Sequence, residues 1–186
     1  MPLSTCVFLL LALTASAQAP ARETAFVYTV HADLEIGYSQ AFYPPSVDTL
    51  YLRADRANAN ARTVAAYLRA HPRITAVHYL GALPDGDPRA AVFARQCSAP
   101  GSTFAFDIEG GEAEAFAFLD RLQVMKLAVS LGGTETLISH PASTTHSGVP
   151  RDLRLEIGLT DALIRISVGI EHPDDLIADL EQALAG

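Results

Sequence analysis

The sequence predicts a compact α+β domain, a sheet of about four strands with helices on one side. Helical and strand periods alternate from residue 47 to residue 186. Leu163 to Ile170 separates into two faces, Ile164, Ile166, Val168 and Ile170 against Leu163, Arg165, Ser167 and Gly169, the period of two of a pleated strand. No glycine-rich phosphate loop interrupts the alternation.

Val64, Tyr67 and Leu68 recur at helical spacing in an alanine-rich stretch, so Asp55 to Ala70 is expected to be a helix stopped by His71 and Pro72. Ile74 to Leu80 is the first strand candidate. The turn-rich GALPDGDP then leads into a short helix at Arg89 to Gln96, and Ser102 to Ile108 alternates as a half-buried strand. Glu112 to Leu122 is expected to be helical, and Lys126 to Leu131 a strand closed by Gly132 and Gly133. After the Leu163 to Ile170 strand, Pro173 opens a last helix to Leu184, with Asp174 and Asp175 where the helix dipole favours negative charge.

At 186 residues, 49% hydrophobic and 18% charged, the chain has room for one ordinary domain with a real core, which excludes large multidomain enzymes and global disorder. Its formal charge of −8 repels phosphate backbones and anionic lipids, so nucleic acid is a poor partner. Cys6 and Cys97 are too few for a disulfide framework or a four-cysteine zinc site. The apolar run Cys6 to Leu13, followed by Ala15-Ser16-Ala17, reads as a signal-like leader over residues 1–17 without the usual basic start, and is too short to span a bilayer. Residues 18–46 show no clean period.

Lys126 is the sole lysine. A buried amine could form a Schiff base, but nothing in QVMKLAV suggests a cofactor cradle, and the start of a strand is the better explanation. Arg165, mid-strand beside small Ser167 and Gly169, offers a planar fork suited to a carboxylate, although an arginine on the wet face of an antiparallel sheet is the commoner reason for this pattern. Ser130, in VSLGG, puts a hydroxyl where glycines let backbone approach a ligand, or at an ordinary strand exit. Glu135 lies at the same edge. His140 to His146 holds two imidazoles and three hydroxyls but lacks the third ligand of a zinc site, so a loop satisfying its own backbone is expected and no metal.

LAVSLGGTETLISHPASTTHSGVP (Leu127 to Pro150) and IGLTDALIRISVGIEHPDDLIADLEQAL (Ile157 to Leu184) together resemble the small C-terminal domain of the Cys/Met-metabolism pyridoxal-phosphate enzymes, which are fold-type I transferases. The S-L-G-G-x-E-[ST] form is most similar to methionine γ-lyase, cystathionine γ-lyase and cystathionine γ-synthase. The similarity extends back through ANARTVAAYLRAHPRITAVHYLG, covering about residues 47–186.

The resemblance implies a cytoplasmic trans-sulfuration enzyme acting on sulfur amino acids with pyridoxal 5'-phosphate. It implies that Arg165 holds the substrate's α-carboxylate, with Ser130 beside it, Glu135 toward the distal end of the substrate and Thr145 in a neighbouring loop. The family's lysine motif and phosphate cradle have no counterpart in these 186 residues, so a truncated relative, inactive alone, is expected. Two alternatives stand beside it. One is an exported (secreted or periplasmic) or partner-binding module reusing the fold. The other is half of a complementing enzyme that associates with itself or with a separate coenzyme domain.

Overall fold

The structure, a computed structural model, describes residues 49–186. The leader at 1–17 and the whole of the unassigned stretch 18–46 lie outside the described residues.

Helix α1 (Leu50–Ala70) buries Ala57, Asn60, Ala61, Val64, Ala65 and Leu68, one stripe at three- and four-residue spacing. It begins five residues earlier than Asp55 because its first turn does not face the core: Tyr51 is 74% exposed. Its end is the expected one. His71, before a proline, is extended at ψ 130°, and its N–H reaches back to the Leu68 carbonyl.

Strand β1 (Ile74–His78) leads through a 3-10 turn, Leu80–Ala82, to helix α2 (Pro88–Gln96). Proline occupies the first turn of α2, and the Asp87 side chain caps the helix by accepting from the Arg89 N–H at 2.8 Å. Strand β2 (Thr103–Ile108) is followed by helix α3 (Glu112–Leu119), which stops short of Leu122 where Asp120 caps it. Strands β3 (Lys126–Leu127) and β4 (Leu137–Ser139), helix α4 (Arg151–Glu156), strand β5 (Leu163–Ser167) and helix α5 (Pro173–Ala185) complete the order.

The sheet has five strands, not about four, in the order β1-β2-β5-β4-β3, with β3 and β4 parallel and the other pairs antiparallel. The addition is β4, whose Leu-Ile-Ser are all buried and so show no alternation. The Lys126 to Leu131 strand shrinks to two residues, because after Ala128 donates to the Ile138 carbonyl the chain leaves the sheet. Helix α4 was not expected either; none of its six residues is buried.

Phe104, Phe106 and Ile108 of β2 share a face with Ile164 and Ile166 of β5, and this face packs against Val64 and Leu68 of α1, Phe118 of α3, and Leu176, Leu180 and Leu184 of α5. Phe106 meets Phe118 edge-on at 6.1 Å. The helices that build the core thus lie on one side. Asp179 of α5, 3% exposed, accepts from the backbone N–H groups of Gln123, Val124 and Met125 at 2.8–2.9 Å, fixing the entry to β3. Among the described residues, no helix is long and apolar enough to cross a membrane.

Candidate functional site

The second face of β5 carries Arg165 and Ser167, and in line with them Gly169 just beyond the strand. Over this face runs a strap, residues 129–136, crossing from β3 before the chain turns back as β4. The two segments engage in step. Arg165 Nη2 donates to the Val129 carbonyl at 2.6 Å and to the Ser130 carbonyl at 3.4 Å. Ser167 Oγ accepts from the Gly132 N–H at 2.9 Å.

At Gly169, the N–H donates to Thr136 Oγ1 at 2.9 Å, and a Cβ there would overlap the Thr134 carbonyl oxygen. Only glycine lets the strap approach this closely. Glu171 then accepts from both the N–H and the hydroxyl of Thr136, while Asn60 of α1 donates to the Gly169 and Glu171 carbonyls at 3.0 and 2.8 Å.

Arg165 is half-buried, and desolvation lowers its pKa from its ordinary value, although a guanidinium stays protonated at any physiological pH. Among the described residues no carboxylate pairs with it, and its Nε and Nη1 donate to no protein acceptor. A cation held on a strand, with one nitrogen tied to backbone and two left over, is a fork with an open edge. Across the strand pairing, Ala105 on β2 and Ser139 on β4 lie opposite Arg165. Ser139 is 1% exposed, and its hydroxyl has no hydrogen-bond partner among the described residues.

Of the residues singled out from sequence, Arg165 and Ser130 come together, through the backbone carbonyl of Ser130 rather than by a bond to its hydroxyl. Glu135 lies exposed farther along the same strap, where Thr134 Oγ1 donates to it at 3.2 Å. Thr145 is apart: its hydroxyl shares a hydrogen bond with its neighbour His146 at 2.8 Å in an exposed turn. His140 is buried and bonded to Ser143 Oγ and the Asp161 carbonyl, both at 2.9 Å, and Thr144 Oγ1 donates to the His140 carbonyl at 2.7 Å. This loop does satisfy its own backbone. Lys126 is exposed at the sheet edge, its ammonium 3.5 Å from the Gln123 carbonyl.

Ser167, Gly169, Glu171 and Ser139 were not singled out as site residues. The available signal was that Ser167 and Gly169 fall two and four residues from Arg165 on one strand face. On the same sheet face, two strands from Arg165, His78 Nε2 lies 2.6 Å from Asp107 Oδ2, and Thr160 Oγ1 donates to Asp107 Oδ1. Burial opposes ionisation of Asp107, but the hydrogen bonds from His78 and Thr160 and the His78 charge outweigh it, holding the carboxyl below its usual range.

Comparison with known proteins shows the family of the chain. Residues 45–185 match the family described as Cys/Met metabolism PLP-dependent enzyme. The chain belongs to that family. It is 40% identical over 150 residues to the L-methionine gamma-lyase of Fusobacterium nucleatum subsp. nucleatum, covering 80% of this chain and 38% of that protein. It is 44% identical over 138 residues to the cystathionine gamma-lyase of Bacillus subtilis, covering 74% and 36%.

Among solved structures, it superposes on the cystathionine gamma-lyase of Lactobacillus plantarum, crystallised with L-serine, with a TM-score of 0.70 at 39% identity, over 76% of this chain and 36% of that one. The cystathionine gamma synthase of Xanthomonas oryzae pv. oryzae, in complex with aminoacrylate and cysteine, gives the same figures. The chain therefore spans little more than a third of the length of these relatives. The small α+β domain is one that fold-type I members of the Cys/Met metabolism family contain.

Proposed function

We propose that this chain carries the carboxylate-recognition half of a trans-sulfuration site, in which Arg165 grips the α-carboxylate of a sulfur amino acid such as methionine, cystathionine or a homoserine ester. The observation that carries the proposal is the open edge of Arg165: a half-buried guanidinium whose Nη2 is spent on the strap while Nε and Nη1 donate to no acceptor among the described residues. Planar paired donors match a carboxylate's two oxygens and fix its orientation. Ser130 stands beside the gripped group and Glu135 farther out along the strap, while Thr145 sits in a separate exposed turn.

Pyridoxal phosphate supplies the electron sink for carbon–sulfur cleavage in this family. The described residues do not by themselves fit it. The single lysine is exposed at a sheet edge, away from Arg165's strand, and no phosphate cradle accompanies it. The chain alone is therefore a binding half without turnover, and the coenzyme is held by a separate domain or chain. The exposed apolar side chains of Leu127, Val129 and Leu131 on the strap side, and of Leu153, Leu155 and Ile157 around α4, favour such an association.

The test compares L-methionine with L-methioninol, which lacks the carboxylate, by NMR titration of the purified chain, with an ammonia assay in added pyridoxal phosphate. Methionine alone is expected to shift the Arg165 guanidinium signals, and no ammonia is expected. Equal responses to the two ligands would remove the carboxylate reading, and sustained ammonia release from methionine would remove the claim of inactivity.

A further inference from the structure

We infer that Ser167 is the positioning residue of the Arg165 site: through the Gly132 N–H it holds the strap so that the guanidinium is seated and its open edge stays available. The consequence for ligand rests on the carboxylate reading above; the geometry does not.

Between the Ala128 N–H bond to Ile138 and the Thr134 carbonyl, which accepts from Ile170 at 2.9 Å, the strap has little to stiffen it. Val129 is 54% and Leu131 42% exposed, so neither is pinned by packing. Gly132 has φ +77°, in the left-handed region, and Gly133 follows it, so the backbone here is the least restricted a chain offers. Within this span the hydrogen bonds back to β5, among the described residues, are those from Arg165 to the Val129 and Ser130 carbonyls and that from the Gly132 N–H to Ser167. A guanidinium on a long flexible stem follows its acceptors and does not hold them.

Ser167 can hold them. It is 2% exposed, on a central strand paired on both sides, and its Oγ also faces the Thr103 hydroxyl at 3.4 Å across β2. Its short side chain transmits the rigidity of the sheet to the glycine turn, two residues from Ser130. Losing that anchor frees the turn, moves the Val129 and Ser130 carbonyls, and lets the guanidinium rotate away from the orientation that presents Nε and Nη1 to a ligand. A serine that merely satisfies its own burial would change stability and leave Arg165 untouched.

The experiment uses the full chain, isotope-labelled, and reads rotation about the Arg165 Cζ–Nε bond, hydrogen exchange of the Gly132 amide, and the Kd for L-methionine. Removing one side-chain hydrogen bond of ordinary strength predicts that Ser167→Ala speeds both Gly132 exchange and Arg165 rotation about fivefold and weakens methionine binding by a similar factor. Ser167→Thr, which keeps the hydroxyl, restores all three. Loss of Gly132 protection with Arg165 rotation and Kd unchanged overturns the inference.

Should Ser167→Ala not fold, the unaltered chain decides: Gly132 opening and Arg165 release share one temperature dependence if Ser167 couples them, and separate dependences overturn it. If Ser167→Ala frees the guanidinium yet the unaltered chain shows no methionine response at Arg165, the positioning role stands and the carboxylate reading falls.

Discussion

The two faces of β5 are held by different physics. On one, Ile164 and Ile166 are wholly buried against aromatic and aliphatic side chains; on the other, Ser167 and the following Gly169 hold a passing strap through hydrogen bonds and close backbone approach, and Arg165 donates to its carbonyls. Burial is non-directional and roughly additive with area, so the first face makes the fold stable without caring which atoms touch. Hydrogen bonds are worth little net but much in orientation, so the second face can place a guanidinium with small energetic consequence for the fold. Stability and site geometry are therefore separable along a single five-residue strand.

The largest expected effect tests the stabilising face. Ile166→Ala removes a fully buried branched side chain from the middle of the sheet and should cost about 2–5 kcal/mol in urea denaturation. A cost below about 1 kcal/mol would mean that this core collapses around the cavity and that the contrast between the faces is weaker than the burial implies.

Next comes the point where the strap touches backbone. A methyl group at Gly169 would overlap the Thr134 carbonyl and stand 2.6 Å from the Glu135 carbonyl carbon, so Gly169→Ala must displace the strap. The expected loss is about 1–3 kcal/mol, with amide shifts concentrated at residues 130–136. Shifts spread evenly through the helices instead would show that the strap and the core are not independent.

Acid sharpens the comparison from outside the strap. Asp107 has a folded-state pKa below its unfolded value of about 3.9, so its contribution is complete above that pH and disappears as pH falls through the folded value. Asp107→Asn should be less stable than the unaltered chain near neutrality, with the gap closing below about pH 4. Parallel stability curves from pH 6 to about pH 2 would show that the carboxylate's charge contributes nothing.

These contrasts also explain what could be read without coordinates. The stabilising face was legible because burial leaves a period: two in β5, and three to four in α1 and α5, where Leu176, Leu180 and Leu184 recur. Strand β4 was not, since three residues buried on both sides carry no period at all. Arg165 stood out as a charge among isoleucines, whereas the role of Ser167 depends on Gly132, 35 residues away, and that of Glu171 on Thr136. Residue type announces a polar group; only topology supplies its partner. Thr145 shows the reverse, a position named by resemblance that contacts its neighbour His146 and not the Arg165 fork.

The smallest expected effect on stability belongs to the residue on which the proposed carboxylate recognition depends most. Arg165→Lys keeps the charge and a stem long enough to reach a strap carbonyl, at a half-buried position where surface-like substitutions change stability by less than about 1 kcal/mol. A lysine ammonium is a point donor: when it turns to the Val129 carbonyl it has no planar second edge to offer a carboxylate. Methionine affinity should therefore fall about tenfold or more while the urea midpoint hardly moves. Retained affinity would mean that charge suffices and fork geometry is irrelevant. A large loss of stability would mean that Arg165, like Ile166 on the opposite face, serves the fold first, and that the two faces of β5 do not divide the work.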